Sequence, residues 1–416
     1  MQVISHTSLS FSRLVRYLSR PHNLPSALHT RNTLLSAYCG QELYPPAADR
    51  DVDDAARWRT LVGFLNSSAH AVTAVGPVPR EVLVDAVSNG THAATGQDEP
   101  DEPDGPWGLI VTAMRWKMPA GTPKPPRIQI WLNPRPPTST ATEHEWQQRR
   151  RALATWIFAE WLPQYARAIH QAAIADPSGA DASRPREATN GKVEMQSIVF
   201  SGMERYLVDL CRQIIAQDGP AGGRGGSVQW ENPCFQFLRR VEPDRAPEVA
   251  LPDEWHEGPI TEDDVELVRS SNKLAFPIEM VRSRVHISVL LRHRGDGHAG
   301  QSRAMGWAYT HEDLSIGSLN VVPEYRRSKA FGRGVGATVV ARLEPKIVAA
   351  ARAALEAAGV AQPATSTPAH DDAGPFDWTP CCAMVEEDNA VSRAFFTRLG
   401  YQQVLRNSWI GIQVPV

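Results

Sequence analysis

Two stretches in the second half of the chain concentrate residues able to bind and transfer a group. The first, VVPEYRRSKAFGRGVGATVVARL (321–343), passes from an apolar strand-like end through Arg326, Arg327, Lys329 and Arg333 into Gly332, Gly334 and Gly336. Glycines let backbone approach a ligand closely. Amides at a following helix start, helped by the helix dipole, hold phosphates. The second, EEDNAVSRAFFTRLGY (386–401), sets Glu386 and Glu387 at the end of an apolar strand, ahead of Asn389, Ser392, Phe396 and Tyr401. A carboxylate so placed can act as a general base, although negative charge at a helix start explains it equally. His311, Glu312 and Asp313 fall in a hairpin turn, where solvation explains them better than service as a base.

The glycine loop has rivals. A Walker A loop needs a Lys-Ser/Thr pair, which GRGVGATVV lacks. Gly332, Gly334 and Ala337 fit a dinucleotide fingerprint, G-x-G-x-x-A. That fingerprint follows a buried strand and has an acidic residue about 20 positions on. Here polar YRRSKAF precedes it and an alanine-rich helix follows. An NAD-dependent oxidoreductase rests on that pattern alone. A helix start holding a pyrophosphate fits the context better.

Taken together, the two stretches resemble the paired motifs of the GCN5-related N-acetyltransferase (GNAT) superfamily. DDVELVRSSNKLAFPIEMVRSR and MGWAYTHEDLSIGSLNVVPEYR resemble its glycine N-acyltransferase/FR47-like branch, including fungal relatives. The likeness is sharp over 255–416 and diffuse over 1–245, where relatives carry a degenerate acetyltransferase-like half. It implies an acyl-CoA-dependent N-acyltransferase, with acetyl-CoA or another acyl-CoA as co-substrate and the amine of a small molecule or amino acid as acceptor. Pantetheine would pair with the backbone of Leu319, Val321 and Val322. The pyrophosphate would lie on Arg333, Gly334, Val335, Gly336 and Ala337, with Arg326, Arg327, Lys329 and Gly332 around it. Asn389 and Ser392 would lie near pantetheine and the acyl group.

The sequence departs from that pattern in two places. Residues near RSKAF lengthen the loop. If Gly334 and Gly336 are the family glycines, the first motif position is Phe331; if Gly332 and Gly334 are, it is Lys329. In addition, Phe396 occupies the position where many members carry a tyrosine that protonates the departing thiolate, and Tyr401 stands five residues on. Either solvent protonates the thiolate or the chain is a CoA-binding or interaction module without fast turnover.

The elements that must position these residues read as α/β (α+β). Helices are expected near 8–19, 26–38, 52–66, 143–174 and 203–217, with strands at 69–76, 107–116, 127–134 and 197–201. Trp146, Trp156 and Trp161 read as core. After a proline-bearing linker at 242–255, Thr261 with Glu262, Asp263 and Asp264 marks a helix start, and Pro277 opens another. Strands follow at 285–293, 304–310 and 314–322, the last two as a hairpin. Then come a helix (334–358), a buried strand (381–387), a helix with an Asp/Asn start and a glycine stop (388–400), and a last strand (401–414). The expectation is an N-terminal α/β domain, 1–245, degenerate and GNAT-like. It precedes a C-terminal GNAT domain, 246–416, whose mixed, mostly antiparallel sheet is flanked by helices. Stretches 93–108, 176–192 and 359–380 are too polar and proline-rich to offset their ordering entropy.

Composition narrows the class. The chain has 416 residues and 42% hydrophobic content, enough for two folded domains. A formal net charge of -3 gives no reason to expect nucleic acid or an anionic membrane as partner. Five cysteines without zinc-type spacing suggest a reduced, metal-free protein. No apolar run reaches the ~18 residues of a spanning helix. The first 25 residues hold no acid, which suits either an ordinary first helix or a mitochondrial transit segment; the expected compartment is cytoplasmic, with mitochondria as the alternative.

Overall fold

The computed structural model describes residues 3–5, 11–19, 23, 26–28, 30–35, 72–75, 105–113, 127–134, 139, 141–175, 194–216, 226–241, 251–273, 276, 278–282, 284–294, 302–311, 313–326, 334–357 and 379–416. The helix expected at 52–66, the insertion at 359–378, and Glu312, Arg327, Lys329, Gly332 and Arg333 lie outside the described residues.

Along the first half run β1 (Val3–Ser5), α1 (Phe11–Leu18), β2 (Val72–Val75), β3 (Gly108–Ala113), β4 (Arg127–Leu132), α2 (Glu143–Trp156), α3 (Leu162–Ala175), β5 (Met195–Glu204), α4 (Arg205–Ile215) and β6 (Ser227–Val241). A π turn, Ile157–Trp161, joins α2 to α3 within what the sequence reads as one helix. The second half holds β7 (Trp255–Gly258), α5 (Glu262–Ser270), α6 (Ile278–Arg282), β8 (Ser288–His293), β9 (Arg303–Thr310), β10 (Ile316–Val321), α7 (Val335–Ala357), β11 (Thr379–Glu386), α8 (Ala390–Arg398) and β12 (Gln402–Pro415). The fold is mixed α/β, with mixed sheets flanked by helices.

The chain forms two compact units. One comprises residues 1–30, 53–234 and 405–416; the other comprises 31–52 and 235–404. This division differs from the expected break at 245. The last strand pairs antiparallel with β5, Ile412 opposite Ile198 and Val414 opposite Gln196, so residues 405–416 belong with the first unit. In exchange, residues 235–241 of β6 close the sheet of the second unit beside β11. The sequence reading found neither β6 nor β7. Pro233, Glu231 and the Arg239–Arg240 pair interrupt the apolar pattern of SVQWENPCFQFLRRV, and β7 (WHEG) is too short and polar to announce a strand.

The two units share one plan. In the first, β1, β2, β3 and β4 are neighbours in order and antiparallel; β4 then runs parallel to β5, and β12 follows. In the second, β7, β8, β9 and β10 are antiparallel, β10 runs parallel to β11, and β6 follows. A parallel pair needs a helical crossover; α2 and α3 supply it in one unit, α7 in the other. Trp107 is fully buried, so 105–108 leads into β3 as ordered core, contrary to the reading of 93–108 as poorly ordered. Trp146 is fully buried too, while Trp156 and Trp161 pack at the core's edge.

In the second unit the sheet carries an apolar layer on each face. One, with α7 and α8, includes Val289, Met305, Ile316, Val339, Leu343, Val385 and Phe396; the other, with α5 and α6, includes Val265, Val268, Leu290, Trp307 and Tyr309. The adjacent Cys381 and Cys382 are both buried and unoxidised, as alternation along a buried strand requires. Within the first layer the Glu344 carboxylate of α7, its side chain 2% exposed, accepts from Tyr401 Oη at 2.7 Å and Arg239 Nη1 at 3.1 Å. Burial pushes the Glu344 carboxyl above its ordinary range, against the pull of Tyr401 and Arg239. A carboxyl raised on folding stabilises fully below its unfolded pKa and loses that contribution as pH climbs through the folded value. Glu344→Gln, which cannot ionise, is therefore expected to gain on the wild type in thermal melts as pH rises from about 4 to neutrality, whatever its constant offset. Parallel curves would rule this out.

Candidate active site

The site grows from a strand pair that stops pairing. β10 and β11 run parallel with Ile316 opposite Ala383, and among the described residues that is their whole ladder. Beyond it both strands continue in the same direction, with Ser318, Leu319, Asn320, Val321 and Val322 on one side and Met384, Glu386 and Glu387 on the other, all half-buried. The edges of β10 and β11 beyond this pair, no longer bonded to each other among the described residues, frame an opening.

A bulge aids the parting. Gly317 faces Tyr309 and Asn320 faces Trp307, so Ser318 and Leu319 stand against Ala308 alone. Such an extra residue bends a strand and frees backbone from the ladder. Ser318 adopts φ 48°, a left-handed conformation unusual for a serine, and strain of this kind gathers at functional positions.

The start of α7 meets the mouth of the opening. Gly334 precedes it with φ +78°, which glycine adopts freely. A Cβ at Gly336 would stand 3.3 Å from Val321 Cγ2 and 3.4 Å from Phe395 Cε2, so the first turn lies against the end of β10 and against α8. The first turn carries no acidic residue. Its amides have no partners within the helix and carry the positive end of the dipole. The corresponding crossover helix of the first unit starts differently. Thr142 and Glu145 form a capping box on α2, and Glu143 adds a second carboxylate, so that helix start is already occupied by negative charge.

The residues expected in the site divide into several groups. Leu319 and Val321 edge the opening. The Val322 N–H donates to Met305 O at 2.9 Å and so points toward β9, away from the opening; alternation turns the groups of Val321 the other way, where Arg326 Nε donates to Val321 O at 2.9 Å. Gly334, Val335, Gly336 and Ala337 form the start of α7, with Val335 and Ala337 anchored in the core. Asn389 caps α8, its side chain accepting from Ser392 N at 3.0 Å. Glu386 accepts from Lys273 Nζ at 2.8 Å, and this partner holds the exposed Lys273 ammonium above its ordinary range. Glu387 is half-buried beside it. Phe396 and Tyr401 are placed elsewhere. Phe396 is 5% exposed, its ring 5.1 Å from Tyr401 and 6.2 Å from Phe237. The Tyr401 hydroxyl is committed to Glu344, and burial pushes it well up. Both belong to the core under the sheet.

The hairpin turn also differs from expectation. The His311 ring is half-buried against the Gly317 backbone, and its Nδ1 lies 2.6 Å from Nη1 of the buried Arg284. A guanidinium can only donate, so Nδ1 accepts. Asp313 is buried; its Oδ1 accepts from Ser315 Oγ at 2.6 Å and its carbonyl from Asn32 Nδ2 at 2.9 Å. The turn is built into the unit rather than solvated.

Three residues escaped the sequence reading. Asn272 Nδ2 donates to Ser318 Oγ at 2.8 Å and stands 3.5 Å from Tyr309 Oη, and the two hydroxyls lie 2.6 Å apart. No spacing rule connects Asn272 to a serine 46 positions away. Its neighbour Lys273 reaches Glu386, so consecutive residues tie the loop after α5 to both parted strands. Among the described residues, no cluster of three or more His, Cys, Asp or Glu could hold a metal ion, and no helix is long and apolar enough to cross a membrane.

No family model and no curated protein matches the chain. Among solved structures, a tandem GNAT protein from the clavulanic acid biosynthesis pathway aligns over 100% of this chain and 98% of its own at 11% identity and TM-score 0.37. A GCN5-related N-acetyltransferase from Kribbella flavida aligns over 75% and 87% at 13% identity and TM-score 0.28. A putative acetyltransferase of the GNAT family from Novosphingobium aromaticivorans aligns over 55% and 77% at 14% identity and TM-score 0.31.

The approach of α7 to the parted strand depends on Gly306 of β9. A Cβ there would stand 2.8 Å from Val335 Cγ1 and 3.0 Å from Asn320 O. Gly306→Val is therefore expected to destabilise by about 1–3 kcal/mol through overpacking, read as a lower urea midpoint at unchanged slope. An unchanged midpoint would mean that α7 does not need this contact.

Proposed function

We propose that the second unit is an acyl-CoA-dependent N-acyltransferase of the GNAT type, acting on the amine of a small molecule or amino acid. The observation that carries this is the parting of β10 from β11 with an acid-free helix start at its mouth. An extended, amide-bearing pantetheine arm suits a half-open strand edge, since its amides can pair with the backbone of Leu319 and Val321. The pyrophosphate suits the amides of Val335, Gly336 and Ala337, with Arg326 close by. The sequence resemblance points the same way and extends the reading to the glycine N-acyltransferase/FR47-like branch.

Catalysis under this reading is chiefly placement. Holding thioester and amine in contact supplies about 7–11 kcal/mol of barrier reduction. Glu386 is the group best placed to receive the ammonium of the acceptor, because a lysine ammonium already sits on it. The Lys273 side chain is exposed, so solvent screens the contact and an incoming amine can exchange with it. Glu386→Gln is expected to lower kcat/KM for the acceptor about 10²-fold while leaving the Kd for acetyl-CoA unchanged; an unaffected kcat/KM would remove Glu386 from the reaction.

The primary test is calorimetric titration of the full chain with acetyl-CoA. One site per chain is expected, because α2 of the first unit is capped by its own carboxylate. Absence of binding at millimolar ligand would overturn the acyltransferase reading, and two equal sites would overturn the assignment to the second unit. A second reading, a CoA-binding module without turnover, is favoured by the buried Phe396; saturable binding with no transfer to any amine would establish it.

A further inference from the structure

We propose that Ser318, held by Tyr309 and Asn272, delivers the proton that the departing CoA thiolate requires. The inference rests on the acyltransferase reading and concerns a step for which the family-like position offers only Phe396.

Four observations converge. Ser318 lies in the bulge, at the point where β10 leaves β11, and is half-buried. Its backbone takes φ 48°, a conformation that costs a serine energy and that a glycine would adopt freely. Its Oγ lies 2.6 Å from Tyr309 Oη, and Tyr309 is fully buried. Asn272 Nδ2 donates to Ser318 Oγ at 2.8 Å. Asn272 therefore fills one acceptor position on Ser318, and the two hydroxyls share one hydrogen bond. In the resting arrangement Ser318 donates it to Tyr309 Oη; when the bond reverses and Tyr309 donates, the Ser318 proton is released from it. Tyr309 is fully buried, and Ser318 is its half-buried hydroxyl partner.

The step balances without any added reactant. The amine nitrogen bonds to the acyl carbon, the C–S bond breaks, and its electron pair goes to sulfur. The Ser318 hydroxyl proton passes to sulfur as the Tyr309 proton passes to Ser318 Oγ. The surplus proton of the new amide nitrogen returns through Ser318 to Tyr309. The products are the amide and CoA with its thiol restored. An aliphatic alcohol alone is a poor acid for this purpose; a phenol lies much nearer a thiol in acidity, which is why the pair acts where a lone serine would not. Tyr309 and Asn272 are positioning residues, and Ser318 is the catalytic one.

The test uses the full chain, acetyl-CoA, and the fastest acceptor from a fixed panel of glycine, putrescine, tyramine and glycinamide. Ser318→Ala and Tyr309→Phe are each expected to lower kcat about 10²-fold, with the Kd for acetyl-CoA and the KM for the amine unchanged. The double variant is expected to fall no further, because members of one relay are lost together. With acetyl-seleno-CoA, whose selenolate leaves without a proton, both single variants are expected to return toward the wild-type rate. A merely structural role predicts the same loss with either acyl donor. Equal losses with both donors, multiplicative losses in the double variant, or wild-type kcat in Ser318→Ala would each overturn the proposal. A wild type that binds acetyl-CoA yet acylates no amine in the panel would overturn it too and leave the binding-module reading. A wild type that binds no acetyl-CoA would instead overturn the acyltransferase reading on which it stands. Unchanged acetyl-CoA binding in each variant controls for misfolding.

Discussion

A parallel strand pair that stops bonding part-way must have its backbone groups satisfied by something else. In this protein the stop comes after Ile316 and Ala383, and much of the second unit is arranged around it. The bulge at Ser318 and Leu319 shifts the register of β10 against β9 just beyond that pair. Gly306 lets α7 start close behind the parted strand. The Asn272–Lys273 corner reaches both strands, one by a neutral hydrogen bond and one by an ion pair. An opening edged by extended backbone favours an extended, amide-bearing ligand over a compact one.

The same plan occurs twice in the chain, and the two copies differ where a ligand would matter. Each has four antiparallel strands, a parallel partner reached through helix, and a final strand from the other half of the sequence. The first unit takes its final strand from the far end of the chain, whereas the described strands of the second run on from residue 235 to 404. In the first unit the crossover helix closes its own N-terminus with Thr142 and Glu145. In the second, the equivalent start is glycine, valine, glycine and alanine. A capping carboxylate and a bound phosphate compete for the same amides. Local sequence at one helix start thus separates a copy whose amides are capped from one whose amides are not.

What the sequence made legible follows the range of the interactions. Elements with local signals were readable: the Thr261 capping box of α5, the β9–β10 hairpin, and the Asn389 start of α8. The exchange of β6 and β12 was not, because strand partners are chosen by packing over long sequence distances and no pattern in YQQVLRNSWIGIQV names β5 as its partner. The start of α7 was legible from its glycines as a loop leading into a helix. The set of Tyr309, Ser318 and Asn272 was not, since each residue alone is an ordinary polar side chain. His311 and Asp313 misled for the same reason: a polar turn looks solvated until Arg284, Ser315 and Asn32 are seen around it.

The burial of Phe396 bears on where chemistry can occur. Its ring is fixed among Phe237, Phe395 and Tyr401 in the layer beneath the sheet. A hydroxyl added there would enter an apolar layer whose nearby carboxylate, Glu344, already accepts from Tyr401 and Arg239. An unpartnered buried hydroxyl costs about 1–3 kcal/mol, so packing opposes a tyrosine at this position. The opposite face of β10 has no such constraint. There Ser318 and Tyr309 share a hydrogen bond at the edge of the opening, on the side lined by α5 and the Asn272 corner. If a proton is to reach a leaving group in this unit, the face with room for a hydroxyl pair is the one that can supply it.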